Sequence, residues 1–393
     1  MMRSIYAFLA LSFLALSAFA KPVIVFDAGS SGTRIYLYDV TEVNGKTNVT
    51  TTKYYKPSSA TTTYTYPVTD ARFAADPVAY FDHFITEIEK TSFDHAATPI
   101  YVYATAGVRM ATNADAIIAD MRKGIRGAVE GDTYPVIADE NVNTLTVSQE
   151  AFNVWVNDQF VSNALSADVL TADNTFAAVE MGGASAEVSV LVENPADFTD
   201  NDVIFAHLGN EYHVYSTGYD GSGQDKAALA LLDAYNANPA DQRFAGCFPV
   251  GAPYPLTAPV LTGTGKFEEC SEFIVEHPVN NYDKAPSAER YLLTSGFYYT
   301  FKILGLANDA TLQTTTNEEL AYKGAAFCAR TWEDLMEAYP GDTFLITYCF
   351  NSAFQHHFLK EMGVKNAASL LSVDKYNGNP MTWTLGVAYT QGN

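Results

Sequence analysis

Positive charge is what this sequence has least of. Over 393 residues there are 23 Lys and Arg against 45 Asp and Glu, a formal net charge of −22. A surface that acidic excludes a nucleic-acid backbone as partner and disfavours docking on an anionic membrane. An anionic ligand would have to be held by local devices instead: backbone N–H groups, a few arginines and a metal ion. Cysteine is also sparse. The four residues Cys247, Cys270, Cys328 and Cys349 form no CxxC pair and lack the close Cys/His spacing of a zinc site, which argues against a structural zinc. Long apolar runs are missing beyond the first twenty residues, so nothing later in the chain can span a bilayer. Charged residues are only 17% and hydrophobic ones 48%, which excludes disorder and leaves a globular chain with room for two or three domains.

The N-terminus has the pattern of a targeting segment. Arg3 is followed by the apolar stretch from Ile5 to Leu16 and by Ala18-Phe19-Ala20, a small-x-small cleavage site. Cleavage after Ala20 is expected; an uncleaved anchor is the alternative. The mature protein is then expected to be exported, soluble and monomeric, in a secreted, periplasmic or other extracytoplasmic setting. In an oxidising compartment the four cysteines pair, and of three possible pairings the nearest-neighbour one, Cys247–Cys270 with Cys328–Cys349, staples two local loops.

Strands and helices alternate in two series, which indicates α/β layers in two halves. In the first, strands are expected at Pro22–Phe26, Ile35–Tyr38, Pro99–Thr105 and Tyr134–Ala138, with Thr-, Tyr- and Ser-rich exposed strands and loops from 44 to 70. Helices are expected from Asp76-Pro77 through Ile88, at Ala114–Arg122 and at Ser148–Phe160. In the second, strands are expected at Thr175–Glu180, Glu187–Val192 and Val203–Leu208, and a helix at Gln224–Ala234. An irregular, disulfide-dependent insertion follows from Gly246 to Pro286. Helices at Ala288–Leu304, Asn317–Ala338 and Ser352–Glu361 lead to a terminal strand at Trp383–Tyr389.

Two segments look like variations on one theme: Asp27-Ala28-Gly29-Ser30-Ser31-Gly32-Thr33-Arg34 and Glu180-Met181-Gly182-Gly183-Ala184-Ser185-Ala186-Glu187. Each is an acid at a strand end followed by a small-residue turn and a returning strand. Such turns let backbone approach phosphate closely, and the acid can hold a hydrated divalent cation. A third segment, Thr105-Ala106-Gly107-Val108-Arg109, also sits at a strand end. There Arg109 is either a phosphate ligand or a structural salt bridge. A fourth, Ser148 to Trp155, places Glu150 near a helix N-terminus, where an acid often serves only the helix dipole.

Together and in this order, these segments resemble the nucleoside triphosphate diphosphohydrolases, or apyrases. Tyr215–Ala227, with a small insertion, and Trp383-Thr384-Leu385-Gly386 extend the resemblance over nearly all of the mature chain. The resemblance implies two RNase H-like domains of the actin/hexokinase/Hsp70 type around a cleft. It implies Glu150 as general base, Ser185 positioning the water, and Asp27 with Glu180 holding a hydrated Mg²⁺ or Ca²⁺. Ser30, Ser31, Gly32, Thr33, Arg34, Thr105, Ala106, Arg109, Gly182, Gly183 and Ala184 align with the phosphate loops. Tyr348, Phe354 and Tyr376 align with the base pocket or are core aromatics. The family usually has Asp at 180 and Gln at 187. With Glu187 present, Glu150 and Glu187 share one water and the pKa of one of them rises.

The expected organisation is a signal peptide at 1–20, a first domain of 21–151 plus 355–393, and a second of 152–354. The expected activity is metal-dependent hydrolysis of nucleoside tri- and diphosphates, with an exopolyphosphatase-like enzyme or a non-catalytic nucleotide-binding protein as alternatives. No role is expected for His356-His357. Asn48-Val49-Thr50 is a glycosylation sequon.

Overall fold

In the computed structural model, which describes residues 20–256, 260–308, 312–376 and 378–392, the expected signal segment lies outside the described residues apart from Ala20. The sequence KPVIVFDAG forms β1 (Lys21–Gly29), apolar on both faces and buried at eight of its nine positions, as a central strand must be. It turns at Gly29–Gly32 into β2 (Gly32–Val43), which pairs in turn with β3 (Lys46–Tyr55). Two helices, α1 (Ala71–Ala75) and α2 (Pro77–Glu89), follow. Asp76 caps α2 by accepting from the Ala79 N–H, and Pro77 occupies its first turn. Next come β4 (Ile100–Ala104), α3 (Ala106–Arg109), α4 (Ala114–Ala128) and β5 (Val142–Thr144). The sheet order is β3-β2-β1-β4-β5, with β4 and β5 parallel to β1. Phe26 meets Phe81 and Phe84 edge-on at 5.3 and 6.0 Å, which seats α2 on this sheet.

Helix α5 (Val147–Val161) then leads to a second sheet. Its strands are β6 (Ala177–Met181), β7 (Ser185–Val192), β8 (Asp202–His207) and β9 (Asn210–Asp220). After α6 (Gln224–Ala237) comes a region with the ribbon β10 (Pro253–Tyr254) and β11 (Leu261–Thr262) and helix α7 (Phe267–Glu276). The chain continues through β12 (Arg290–Ser295), α8 (Gly296–Ile303), β13 (Thr314–Thr315), α9 (Asn317–Cys328), α10 (Trp332–Ala338), α11 (Tyr348–Glu361) and β14 (Ser369–Ser372). It ends with the ribbon β15 (Lys375–Tyr376) and β16 (Asn379–Pro380), and α12 (Trp383–Gln391). The order is β13-β14-β12-β6-β7-β9-β8. Its inner run β9-β7-β6-β12-β14 repeats the plan of the first sheet: an antiparallel trio, then two parallel strands. The molecule therefore has two RNase H-like domains, and the two small-residue turns occupy equivalent corners, β1–β2 and β6–β7. Both disulfides pair as expected, Cys247–Cys270 and Cys328–Cys349. Among the described residues no helix is long and apolar enough to cross a membrane.

Several expectations are corrected. Trp383–Tyr389 is helical, not a strand. Thr382 caps it by accepting from the Thr384 N–H, and it is buried on all sides, so it has no polar face to mark a helical period. Ala288–Leu304 is not one helix, because Tyr291-Leu292-Leu293 form a buried parallel strand between β6 and β14 and the helix starts only at Gly296. Short apolar runs buried all round do not reveal their type by periodicity. Tyr134–Ala138 is not a strand: Val136 is 94% exposed, and β5 forms further along instead. The helix expected over Asn317–Ala338 breaks in two, with Thr331 capping the second part. The stretch Gly246–Pro286 is less irregular than expected, since it contains α7.

Helix α11 runs through 354/355, its Phe358 and Leu359 belong to the second core, and β14 is part of the second sheet. The return to the first domain is α12, where Thr384 Oγ1 lies 2.7 Å from the Tyr38 hydroxyl of β2.

Candidate active site

The ends of β1, β4 and β6 and the start of α5 converge on a cleft of about 490 Å³. Asp27, at the end of β1, is register-paired with Arg34 on β2, whose Nη1 donates to its Oδ2 at 3.2 Å. Arg34 also donates to Ser31 Oγ and the Gly32 carbonyl, which stiffens the first turn. The third loop packs directly on that turn: a Cβ at Gly107 would stand 2.9 Å from Ser30 Cα, so only glycine lets the two approach. The second turn approaches the first from the other domain: a Cβ added at Gly183 would stand 3.7 Å from Ser30 Oγ. Ser30, Ser31, Arg34, Thr105, Ala106, Gly182, Gly183, Ala184 and Ser185 all line the cleft, together with Asp27, Glu150, Glu180 and Glu187.

Glu150 is placed by α5, whose N-terminus is fixed by a reciprocal cap between Thr146 and Gln149. Its Oε2 accepts from Arg109 Nη1 at 2.6 Å. Glu180 and Glu187 stand directly opposite each other on β6 and β7. Glu180 Oε1 accepts from Ser295 Oγ at 2.5 Å; Glu180 Oε2 and Glu187 Oε1 are buried with no donor. Burial raises the pKa of all three glutamates and of Asp27. Arg109 pulls back on Glu150, Ser295 on Glu180, and Arg34 on Asp27, while Glu150 adds to the rise at Glu187.

Four buried carboxylates around one cleft, two of them with orphaned oxygens, form a hard-oxygen donor set. Asp27 and Glu180 at the paired strand ends fit a hydrated divalent cation, whose water shell would supply the missing donors.

Six expected residues do not reach the cleft wall. Gly32 sits in the turn at φ +137° against the Thr65 carbonyl, and Thr33 is buried beneath it, accepting from the Tyr80 hydroxyl. Arg109 is consumed by Glu150, Asp220 and the Leu145 carbonyl, so it is a salt-bridge residue rather than a phosphate ligand. Phe354 is 1% exposed and stacked on Phe350 in the second core. Tyr348 is buried against Phe327, and Tyr376 lies on the β15 ribbon against the hydrophobic clusters. Helix α11 is buried from Tyr348 to Phe354.

The cleft is lined by aromatics that sequence reasoning missed. Tyr299 is 53% and Phe344 64% exposed, and Tyr54 is there too. Lys56, Gln224, Asp225, Ser295 and Asp374 also line it. Asp225 lay within the Tyr215–Ala227 block, but no spacing or motif marked Lys56, Ser295 or Phe344.

Comparison with known proteins follows the same lines. Nucleoside-triphosphatase ntp-1 of Caenorhabditis elegans is 23% identical over 92% of this chain and 72% of that protein. Among solved structures, a nucleoside triphosphate hydrolase from Neospora caninum superposes with a TM-score of 0.62 at 14% identity, covering 95% of each chain. A Ppx/GppA family member from Aquifex aeolicus gives 0.53 at 12%, covering 95% of this chain and 98% of that one. At such identities these structures speak to the fold alone. The sequence profile of the GDA1/CD39 (nucleoside phosphatase) family matches residues 15–392, and the chain belongs to that family.

Proposed function

We propose that this enzyme hydrolyses nucleoside tri- and diphosphates at the terminal phosphate, with Glu150 as general base for the attacking water. The carrying observation is the cleft itself: two small-residue turns, one from each domain, line it together with a buried carboxylate held by Arg109. The amides and hydroxyls of Ser30, Ser31, Thr105, Ala106 and Gly182–Ala184 cradle the phosphates, and Arg34 and Lys56 add positive charge at the mouth. Ser185 positions the water. Asp27 and Glu180 hold a hydrated Mg²⁺ or Ca²⁺, which when bound offsets the charge of the phosphate chain. Tyr299 and Phe344, in place of Tyr348, Phe354 and Tyr376, offer exposed ring faces for the nucleobase, and stacking of that kind tolerates any base. Two disulfides support an exported protein working in an oxidising compartment.

The likeness to a Ppx/GppA structure favours a second reading, an exopolyphosphatase-like enzyme of the same fold. Such a substrate has no base and leaves the exposed rings without a purpose. The test is phosphate release from ATP, ADP and polyphosphate with Mg²⁺ or Ca²⁺. Release from both nucleotides, abolished by chelator and lowered at least ~100-fold by Glu150→Gln, is expected. Faster release from polyphosphate than from ATP would overturn the nucleotide reading. Tight nucleotide binding without release would make the protein a binder.

A further inference from the structure

Among the described residues Arg109 is the one cation in contact with Glu150, and its own placement involves a residue from the other domain. It ends α3, on the connection between β4 and β5 of the first sheet, with its side chain 11% exposed. Its Nε lies 3.1 Å from both oxygens of Asp220, and its Nη2 donates to Asp220 Oδ1 at 2.7 Å. Its Nη1 donates to the Leu145 carbonyl at 2.9 Å and to Glu150 Oε2 at 2.6 Å. Asp220 ends β9 of the second sheet, in register with Ser185 on β7. Its backbone is pinned there: its carbonyl accepts from Asn280 Nδ2 at 2.9 Å, and the next N–H, of Gly221, donates to the Ala184 carbonyl at 2.7 Å.

The geometry points to Asp220 as a positioning residue for the general base, acting through Arg109 across the domain boundary; this rests on the reading of Glu150 given above. A guanidinium is a planar fork that prefers to grip one carboxylate with two parallel bonds. Here Asp220 takes that two-pronged grip, on the Nε–Nη2 edge. Glu150 receives a single bond to one oxygen, and its Oε1 is left for the cleft. Without Asp220 the fork is free to turn and clasp both oxygens of Glu150, which lowers the basicity of the carboxylate and occupies the oxygen a water would need. The arrangement also ties the base to the domain that carries the second phosphate turn, so base and turn are placed together.

The measurement is steady-state ATP hydrolysis, with thermal midpoint and nucleotide binding, for wild type, Asp220→Ala and Asp220→Glu. Asp220→Ala should lower kcat by about 10- to 100-fold with KM and nucleotide affinity little changed, the loss usual when a group orienting an active-site residue is removed. Asp220→Glu, which keeps the charge and the two-pronged grip, should recover most of the rate. Unchanged kcat in a folded Asp220→Ala protein overturns the inference. So does a loss confined to KM, or one that Asp220→Glu does not relieve although the protein remains as stable as wild type. An inactive wild type overturns the hydrolase reading itself and this inference with it, whereas an active wild type with an unimpaired Asp220→Ala variant removes only the inference.

Discussion

Ser295 is held at φ +59°, ψ −120°, a conformation that costs a residue with a side chain about 1–3 kcal/mol. In exchange its hydroxyl reaches Glu180 Oε1, while Oε2 stays buried with no donor among the described residues. Glu180 is one methylene longer than the aspartate expected at this position, and a longer side chain needs more fixing. Ser295→Gly relieves the backbone and removes the hydrogen bond at once. Relieved strain and the lost bond to a buried carboxylate offset each other, so the variant should melt within roughly 1 kcal/mol of wild type while releasing phosphate more slowly. A protein that is both less stable and unimpaired would show that the conformation serves the fold rather than the site.

At the scale of the element, the α5–α12 contact holds the two domains' shared floor. Gly386 is pressed against α5 so closely that a Cβ would stand 2.1 Å from the Asn153 carbonyl. That contact sits one turn along α5 from Glu150, and α12 begins with Trp383 on the cleft wall. Gly386→Ala should push the helices apart and cost about 1–3 kcal/mol despite alanine's better helix propensity. Urea unfolding would measure it; a variant as stable as wild type would mean that α12 yields freely. The same contact explains why a terminal strand was the wrong expectation. Trp383–Tyr389 is apolar because it is buried between α5 and the first sheet, and such burial erases the polar face by which helices are recognised.

For the whole molecule, the acidic balance and the buried carboxylates combine. Glu150, Glu180 and Glu187 have pKa values raised by burial above the ordinary glutamate value of 4.5, Glu150 to about 8. A folded-state pKa above the unfolded one means that the folded chain binds more protons. The stability linked to these groups is fully present below pH 4.5 and is lost as pH rises through the folded values. Without divalent cations the thermal midpoint should therefore fall between about pH 5 and pH 8, and Mg²⁺ or Ca²⁺ should flatten the fall by taking up the charge. A midpoint in chelator that rises over that interval would contradict the raised pKa values of these groups.

The sequence by itself determined the duplicated strand–turn–strand units and the acids that end β1 and β6, because each is a local pattern of a few adjacent residues, and the alternation of such patterns along the chain determined the α/β class. Asp27, Glu150, Glu180 and Glu187 could be named from it, and they do meet in one cleft. What only the tertiary structure decided depends on separation along the chain and on burial. Arg109 and Asp220 are 111 residues apart, so no local pattern could show that the arginine is occupied. Phe354 and Tyr299 are both aromatics in apolar company, and only the packing of α11 beneath the cleft and of α8 at its rim made one a core residue and the other a cleft wall. Helix or strand was undecidable for Tyr291–Leu293 and Trp383–Tyr389 for the same reason: a segment buried on every side carries hydrophobicity without period, and only its neighbours fix its form.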